Sequence, residues 1–246
     1  MAARVAGSLL FCEENAMRKG RQAAGGWILS ICILLCLTSL AIYIAGTWPR
    51  LMLFCMQRDA PPESTGLPED AYPQVAEAIT GCLRGCGETF QVIYEDGNGT
   101  RYKLFHDYES QHMADCQRLF QWDRTLLEMT ALISICGLIY AAKTRAKAFL
   151  SGMRHGVLFC ACVLGILLLW GLTDFDGLFV TFHRVAFQNM LWILNPETDL
   201  LIRLMPFPFF VHLVTGIVLF VGSLFGLYMG ILFGIWSKKQ QKEHTS

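Results

Sequence analysis

Apolar residues in this chain are gathered into long blocks separated by polar stretches. No Asp, Glu, Lys or Arg occurs between Arg21 and Arg50, and none between Arg203 and Lys238. Blocks of 18 or more mainly apolar residues read as membrane-spanning helices. Four segments qualify: 27–48, 124–142, 156–173 and 209–236. The second contains Glu128, and 129–142 alone would rise only about 21 Å. That helix is therefore placed to begin near Asp123 or Arg124, with Glu128 close to its end.

Two segments between the blocks have their own patterns. Residues 57–70 are rich in Pro, Ser, Gly and acids and read as a surface loop, and 74–86 as a short helix. Gln91-Val-Ile-Tyr-Glu and Arg101-Tyr-Lys-Leu-Phe flank Gly97-Asn-Gly, which predicts a hairpin. From Asp107 the pattern turns helical and runs into the second span. Residues 174–208 are largely apolar although they join two spans, with Phe179, Phe182, Val185, Phe187, Met190 and Trp192 among them. A free loop would not be so composed. An amphipathic helix lying in the membrane plane over 177–194 would be. Asn195-Pro196-Glu197-Thr198-Asp199 then reads as the start of a second short helix: Asn can cap, Pro suits the first position and acids favour the positive end. It should stop before Pro206.

The expected fold is thus an all-α membrane protein, a four-helix bundle with a small α+β cap on one side and an interfacial amphipathic helix. Composition agrees: 54% of the 246 residues are hydrophobic and only 16% charged, against about 25% charged in soluble domains. An ordinary cytosolic enzyme, a secreted domain and a disordered tail are excluded. Net charge is +0 with no basic stripe, which excludes a nucleic-acid binder.

Charge sets the orientation. Residues 1–26, 143–155 and 237–246 carry eleven Lys and Arg against Glu13, Glu14 and Glu243. The longer segments 49–123 and 174–208 are acid-rich. Basic residues mark the cytoplasmic side, so both termini are expected inside, and the cap and the segment 174–208 outside. Trp27 and Trp236 then mark inner ends, and Trp48, Trp122 and Trp170 outer ends. The first span is too long for a signal-peptide core and reads as an anchor. Met17-Arg-Lys-Gly-Arg would be a natural start. A cap of some 75 residues is too small to be sure of its own core, so it should lean on the bundle.

Of ten cysteines, Cys55, Cys82, Cys86 and Cys116 fall on the outer side, where disulfides can persist. Sequence cannot choose among the pairings. Cys82-x-x-x-Cys86 is a poor match to a zinc site, and no metal or cofactor is expected. Leu51-Met-Leu-Phe before Cys55 lacks the small residues of a lipobox. Gly222, Gly226, Gly230 and Gly234 form a close-packing stripe, read as bundle packing with a dimer face as the alternative.

Two histidines stand out. His183 lies in the interfacial helix, and His112 in the helix entering the second span, with Glu109 and Asp115 three residues to either side. Residues three apart share a helix face, and a carboxylate beside an imidazole fixes its tautomer and raises its basicity. The plain alternative is two packing histidines. His106 and His212 read as ordinary ones, and His155 and His244 lie on the inner side.

The run from Thr181-Phe-His through Asn189, Trp192, Asn195-Pro196 and Asp199 to Pro206-Phe-Pro-Phe-Phe210 resembles the signature of the bacterial lipoprotein intramolecular transacylases, Lit. Glu109-Ser-Gln-His-Met-Ala-Asp115 resembles the second signature of that family. Cys116-Gln117 and Met190 depart from it. The resemblance implies an enzyme that moves an acyl chain from the sn-2 ester of a diacylglyceryl-cysteine lipoprotein onto that cysteine's own α-amine, giving the lyso-form. It implies His112 and His183 as the catalytic histidines and diacylglyceryl lipoproteins as substrate in the cell membrane; a monomer is expected.

Residue chemistry fits. An imidazole can take a proton from the attacking amine and hand one to the departing glyceryl oxygen. His183 is expected as general base, and His112 as the partner that positions the substrate or stabilises the oxyanion. The supporting or substrate-binding set is Asp115, Glu109, Asn189, Trp192, Arg203, Glu197 and Asp199. Asp115 or Glu109 would orient His112, Asn189 and Arg203 would contact headgroup or peptide, and Trp192 would anchor at the interface. The competing class is a four-span scaffold or sensor whose cap binds a partner. A transporter is disfavoured because the spans hold almost no ionisable groups. A straight helix would lift His112 about 18 Å above Arg124. A break between Leu119 and Arg124, or a span starting higher, is therefore expected. The two imidazoles should meet with nitrogens roughly 4–8 Å apart.

Overall fold

The structure is a computed structural model that describes residues 2–86, 90–144 and 146–244, with side chains over 11–86, 90–144 and 146–234. Arg4, Arg145, Trp236, Lys238, Lys239 and Lys242, which entered the orientation argument, lie outside the described side chains.

The protein is mostly helical. Its elements are α1 (Ala2–Thr47), α2 (Pro49–Asp59), α3 (Pro62–Thr65), a 3-10 turn (Glu69–Ala71), α4 (Tyr72–Arg84), β1 (Ile93–Glu95), β2 (Arg101–Lys103), α5 (Asp107–Thr144), α6 (Lys147–Thr173), α7 (Phe175–Ala186), α8 (Leu200–Leu204) and α9 (Phe207–His244). Four helical stretches are long and apolar enough to cross a membrane: Phe11–Thr47, Asp107–Thr144, Lys147–Thr173 and Phe207–Gly234. Many of their large apolar side chains, such as Leu132, Ile166 and Leu219, are exposed. A hydrocarbon environment accounts for that; water does not.

Two compact units divide the chain. The first comprises Met1–Thr38, Leu126–Leu169 and Val221–Ser246. Its core joins Leu29 and Ile33 to Phe149, Met153, Val157, Phe225 and Leu232. Here α1 and α6 approach closely because glycine allows it. A Cβ on Gly26 would collide with the carbonyl of Phe149, and one on Gly152 with the carbonyl of Ala23. The buried Ser30 hydroxyl at this crossing donates to the Met153 carbonyl at 2.9 Å, so burial leaves it satisfied. The glycine stripe behaves otherwise. A Cβ on Gly222, Gly226, Gly230 or Gly234 would meet nothing within 4 Å. All four glycines are exposed, so their small size is not used for a close helix approach of the kind seen at Gly26 and Gly152, and the bundle-packing expectation is corrected to that extent.

The second unit comprises Ser39–Thr125 and Trp170–Phe220. Its core centres on Met56, Tyr72, Val75 and Ile79, between α2 and α4. Tyr72 is fully buried yet satisfied: its hydroxyl donates to the Ala60 carbonyl at 2.5 Å and lies 2.8 Å from Thr65 Oγ1. Leu201, Leu204 and Phe209 complete this core, so residues 49–123 do not form it alone. The hairpin is antiparallel, with Ile93 opposite Lys103 and Tyr94 opposite Tyr102. Its strands are three residues each, shorter than the five predicted.

Three local expectations change. Residues 57–59 close a helix, α2, which Pro49 opens at a position where its missing N–H costs nothing. α7 starts after Asp174, whose carboxylate accepts the Gly177 N–H at 2.8 Å, and it ends at Ala186 rather than near 194. Asn195 does not cap a helix. Its side-chain oxygen accepts the Glu197 N–H at 3.0 Å in a turn, and α8 begins only after Asp199. α5 runs without interruption from Asp107 to Thr144. The break expected between Leu119 and Arg124 is absent because no Pro or Gly stands there to cause one.

Candidate functional site

His112 lies in the second turn of α5, and His183 in the last turns of α7. Their ring centroids are 6.4 Å apart. Both are buried, with 8% and 9% of their surface exposed. Phe187, the first residue after α7, packs on both rings, at 5.0 Å from His112 and 5.5 Å from His183. Phe179 (4.1 Å), Trp192 (5.1 Å) and Phe182 (5.2 Å) complete an aromatic enclosure around His183.

Each imidazole has one nitrogen engaged. His183 Nδ1 is 2.8 Å from the carbonyl of Phe179, one turn back on α7. A carbonyl only accepts, so the proton sits on Nδ1 and Nε2 is left as a base. His112 Nε2 lies 3.6 Å from Cys116 Sγ, one turn ahead on α5. His112 Nδ1 is buried and has no hydrogen-bond partner.

Electrostatics favour neutral rings. His112 precedes the apolar run of α5. Its pKa is pulled from 6.5 to about 4 by desolvation first and by the neighbouring His183 second, against the opposing pull of Asp115. Burial also lowers His183, while its bond to the Phe179 carbonyl works the other way. Desolvation pushes the Cys116 thiol up to about 12, with smaller contributions from Cys82 and Asp115.

The predicted supporting residues separate into groups. Asp115 accepts from Asn189 Nδ2 at 2.7 Å and pairs with Arg118. Asn189 Oδ1 in turn accepts the Leu191 N–H at 3.0 Å. These bonds tie the segment after α7 to α5. Neither Asp115 nor Glu109 is hydrogen-bonded to His112. Fully buried Glu109 accepts the His106 N–H at 2.6 Å and the Leu201 N–H at 2.8 Å. One carboxylate thus caps the starts of both α5 and α8, where the helix dipoles favour negative charge.

Asp199, also buried, accepts from Tyr108 Oη at 2.5 Å, Thr198 Oγ1 at 2.7 Å and the Asn195 N–H at 2.8 Å. Burial opposes its charge, but these bonds outweigh it and hold its carboxyl below the usual range. Trp192 lies against His183. Glu197 is exposed, and Arg203 has its Nε buried without a hydrogen-bond partner. Away from this pair, His106 stacks on Tyr108, and His212 bonds Asp59 at 3.0 Å. The sequence reading missed Cys116 as the neighbour of His112, though a spacing of four on a helix would have flagged it.

A cavity of about 390 Å³ opens beside the pair, lined by Asp115, Arg118, Trp122, Phe187, Gln188 and Asn189 among others. All four described cysteines of the predicted outer set are free, and among the described residues no cluster could hold a metal.

Four helices of membrane-crossing length and a desolvated imidazole pair in an aromatic pocket define a helical membrane protein with a buried polar site. The chain belongs to the Lit family: the model of "Lipoprotein intramolecular transacylase Lit" matches residues 27–210. Solved structures agree in fold. The lipoprotein intramolecular transacylase Lit from Bacillus cereus is 20% identical, over 92% of this chain and 99% of that one, with a TM-score of 0.68. Two variants of that enzyme match as well. One, with a histidine changed to arginine, is 21% identical over 94% of this chain and 99% of the other, with a TM-score of 0.67. The other, with a histidine changed to alanine, is 20% identical over 93% and 99%, with a TM-score of 0.68. No curated protein matches the chain.

Proposed function

We propose that this protein moves an acyl chain from the sn-2 ester of a diacylglyceryl-cysteine lipoprotein to the α-amine of the same cysteine, with His112 and His183 as the acid–base pair. The observation that carries this reading is the meeting of two buried imidazoles at 6.4 Å, each with one nitrogen unengaged.

The substrate amine nitrogen attacks the ester carbonyl carbon, forming the C–N bond. A base with a pKa below 6.5 is poorly matched to an ammonium near 8, so the free amine is the attacking species. His183 Nε2 then takes the proton that the tetrahedral intermediate makes acidic. The C–O bond to glycerol breaks, and the departing oxygen takes that proton from the His183 imidazolium as the amide forms, which returns the ring to its neutral state. His112 Nδ1, on the other ring, positions the ester or donates to the oxyanion. Donor and acceptor share one molecule, so holding a folded conformer supplies orientation worth up to roughly 7–11 kcal/mol.

In this reading residues 49–123 and 174–208 face outward, both termini lie in the cytoplasm, and α7 rests at the outer headgroup boundary. Exposed Phe182 and Val185 on α7 support that placement. Because α5 is unbroken, the boundary crosses it above Arg124. The test is mass spectrometry of a reporter lipoprotein produced with and without this chain. N-acylated lyso-form is expected with the wild type only. Its persistence with His112→Gln or His183→Gln would remove the reading.

A further inference from the structure

The histidine pair borders two chemically different environments. Around His183 the enclosing rings are Phe179, Phe182 and Trp192, and the exposed neighbours Phe182 and Val185 are apolar. None of these lines the cavity of about 390 Å³. That cavity is mixed: a carboxylate, a guanidinium and two amides, in Asp115, Arg118, Gln188 and Asn189, stand among apolar side chains and the ring of Trp122. Phe187 belongs to both, touching each imidazole and walling the cavity.

A diacylglyceryl-cysteine peptide is divided in the same way, with acyl chains at one end and a polar backbone at the other. We propose that the cavity between α5 and the segment after α7 takes the first peptide residues that follow the lipidated cysteine, while the acyl chains lie along the aromatic residues of α7. This rests on the transacylase reading above. Asp115 and Asn189 are already bonded to one another and form a fixed wall. Arg118 pairs with Asp115, yet its side chain is 66% exposed, which leaves donors of its five N–H groups for peptide carbonyls. Exposed Gln188 offers both a donor and an acceptor to a backbone. Trp122, 69% exposed, presents a ring face to a side chain. The volume lies in the lower part of the roughly 300–1,000 Å³ range of ligand pockets. That suits a short stretch of chain.

The experiment compares two synthetic substrates with purified full-length protein: a diacylglyceryl-cysteine amide with no further residue, and the same group on a five-residue peptide. The quantity read is the ratio of kcat/KM for the long substrate to that for the short one. In the wild type the ratio is expected above one. Trp122→Ala and Gln188→Ala should each reduce it about tenfold, the scale of losing one good contact. Arg118→Gln should reduce it, and Arg118→Lys should restore part. An unchanged ratio in all of them, or equal loss on both substrates as a lipid-headgroup or purely structural role would give, overturns the peptide assignment. If the wild type converts neither substrate, the transacylase reading itself falls.

Discussion

His183 is held by Phe179: its Nδ1–H is donated to the carbonyl four residues back on the same helix, at 2.8 Å. The ring is thus keyed to α7 rather than to a mobile side chain, and its Nε2 is the nitrogen left over. His183→Gln keeps an amide but no basic nitrogen. It should lower kcat by about 10²–10⁴-fold while thermal unfolding in detergent shifts little. An active His183→Gln protein would show that the base is elsewhere.

The rate should rise with pH through the titration of the substrate amine, near 8, and then level. Burial lowers both imidazoles, His112 to about 4, so His112 should impose no inflection between pH 6 and 7. A kcat/KM profile over pH 5–9.5 checks this. An inflection near 6.5 that vanishes in His112→Gln would contradict it.

Stability should carry the mark of His112. Its folded pKa of about 4 lies below the unfolded 6.5, so the unfolded chain takes up the proton first as pH falls. The stability tied to its neutral form is complete above about 6.5 and is lost progressively down to about 4, roughly 3 kcal/mol in all. His112→Gln should therefore lose less thermal stability than the wild type between pH 7 and 4.5. Parallel curves would refute the assignment.

Cys116 is the only hydrogen-bond neighbour of His112 Nε2 among the described residues. Cys116→Val leaves that buried nitrogen unmatched, at a cost of about 1–3 kcal/mol. It should lower kcat about tenfold with KM little changed. Cys116→Ser, which restores a polar partner, should recover much of the loss. Equal kcat in the Val and Ser variants would mean that the thiol only fills space.

Glu109→Ala would strip two N–H groups of their acceptor, the buried one of Leu201 and the part-buried one of His106. It should destabilise the protein by roughly 2–5 kcal/mol, and Glu109→Gln by less. Unfolding in detergent measures the difference.

Much of this was readable along the chain, and what was hidden has a common cause. The apolar blocks marked the four long helices, and the glycine turn marked the hairpin. The motifs around His112 and His183 named the pair that meets. α2 does not stand out along the chain although Met52, Cys55 and Met56 have helical spacing, because its last residues belong to the polar stretch 57–70, whose composition is that of a loop. Glu109 was given to His112 because sequence spacing sees only its own helix. Its partner Leu201 stands 92 residues away. The glycine stripe shows the reverse error: periodicity marks a face but not what lies against it.

Desolvation raises the thiols of Cys82 and Cys116 to about 11 and about 12. Only the thiolate attacks oxidants, disulfides and alkylating reagents. At neutral pH about one Cys82 in ten thousand, and fewer Cys116, would be ionised. These two sulfurs, of which Cys116 lies against His112, therefore react slowly with oxidants and alkylating reagents. Chemical inertness here comes from burial, and a substitution that admits water to that pocket would remove it.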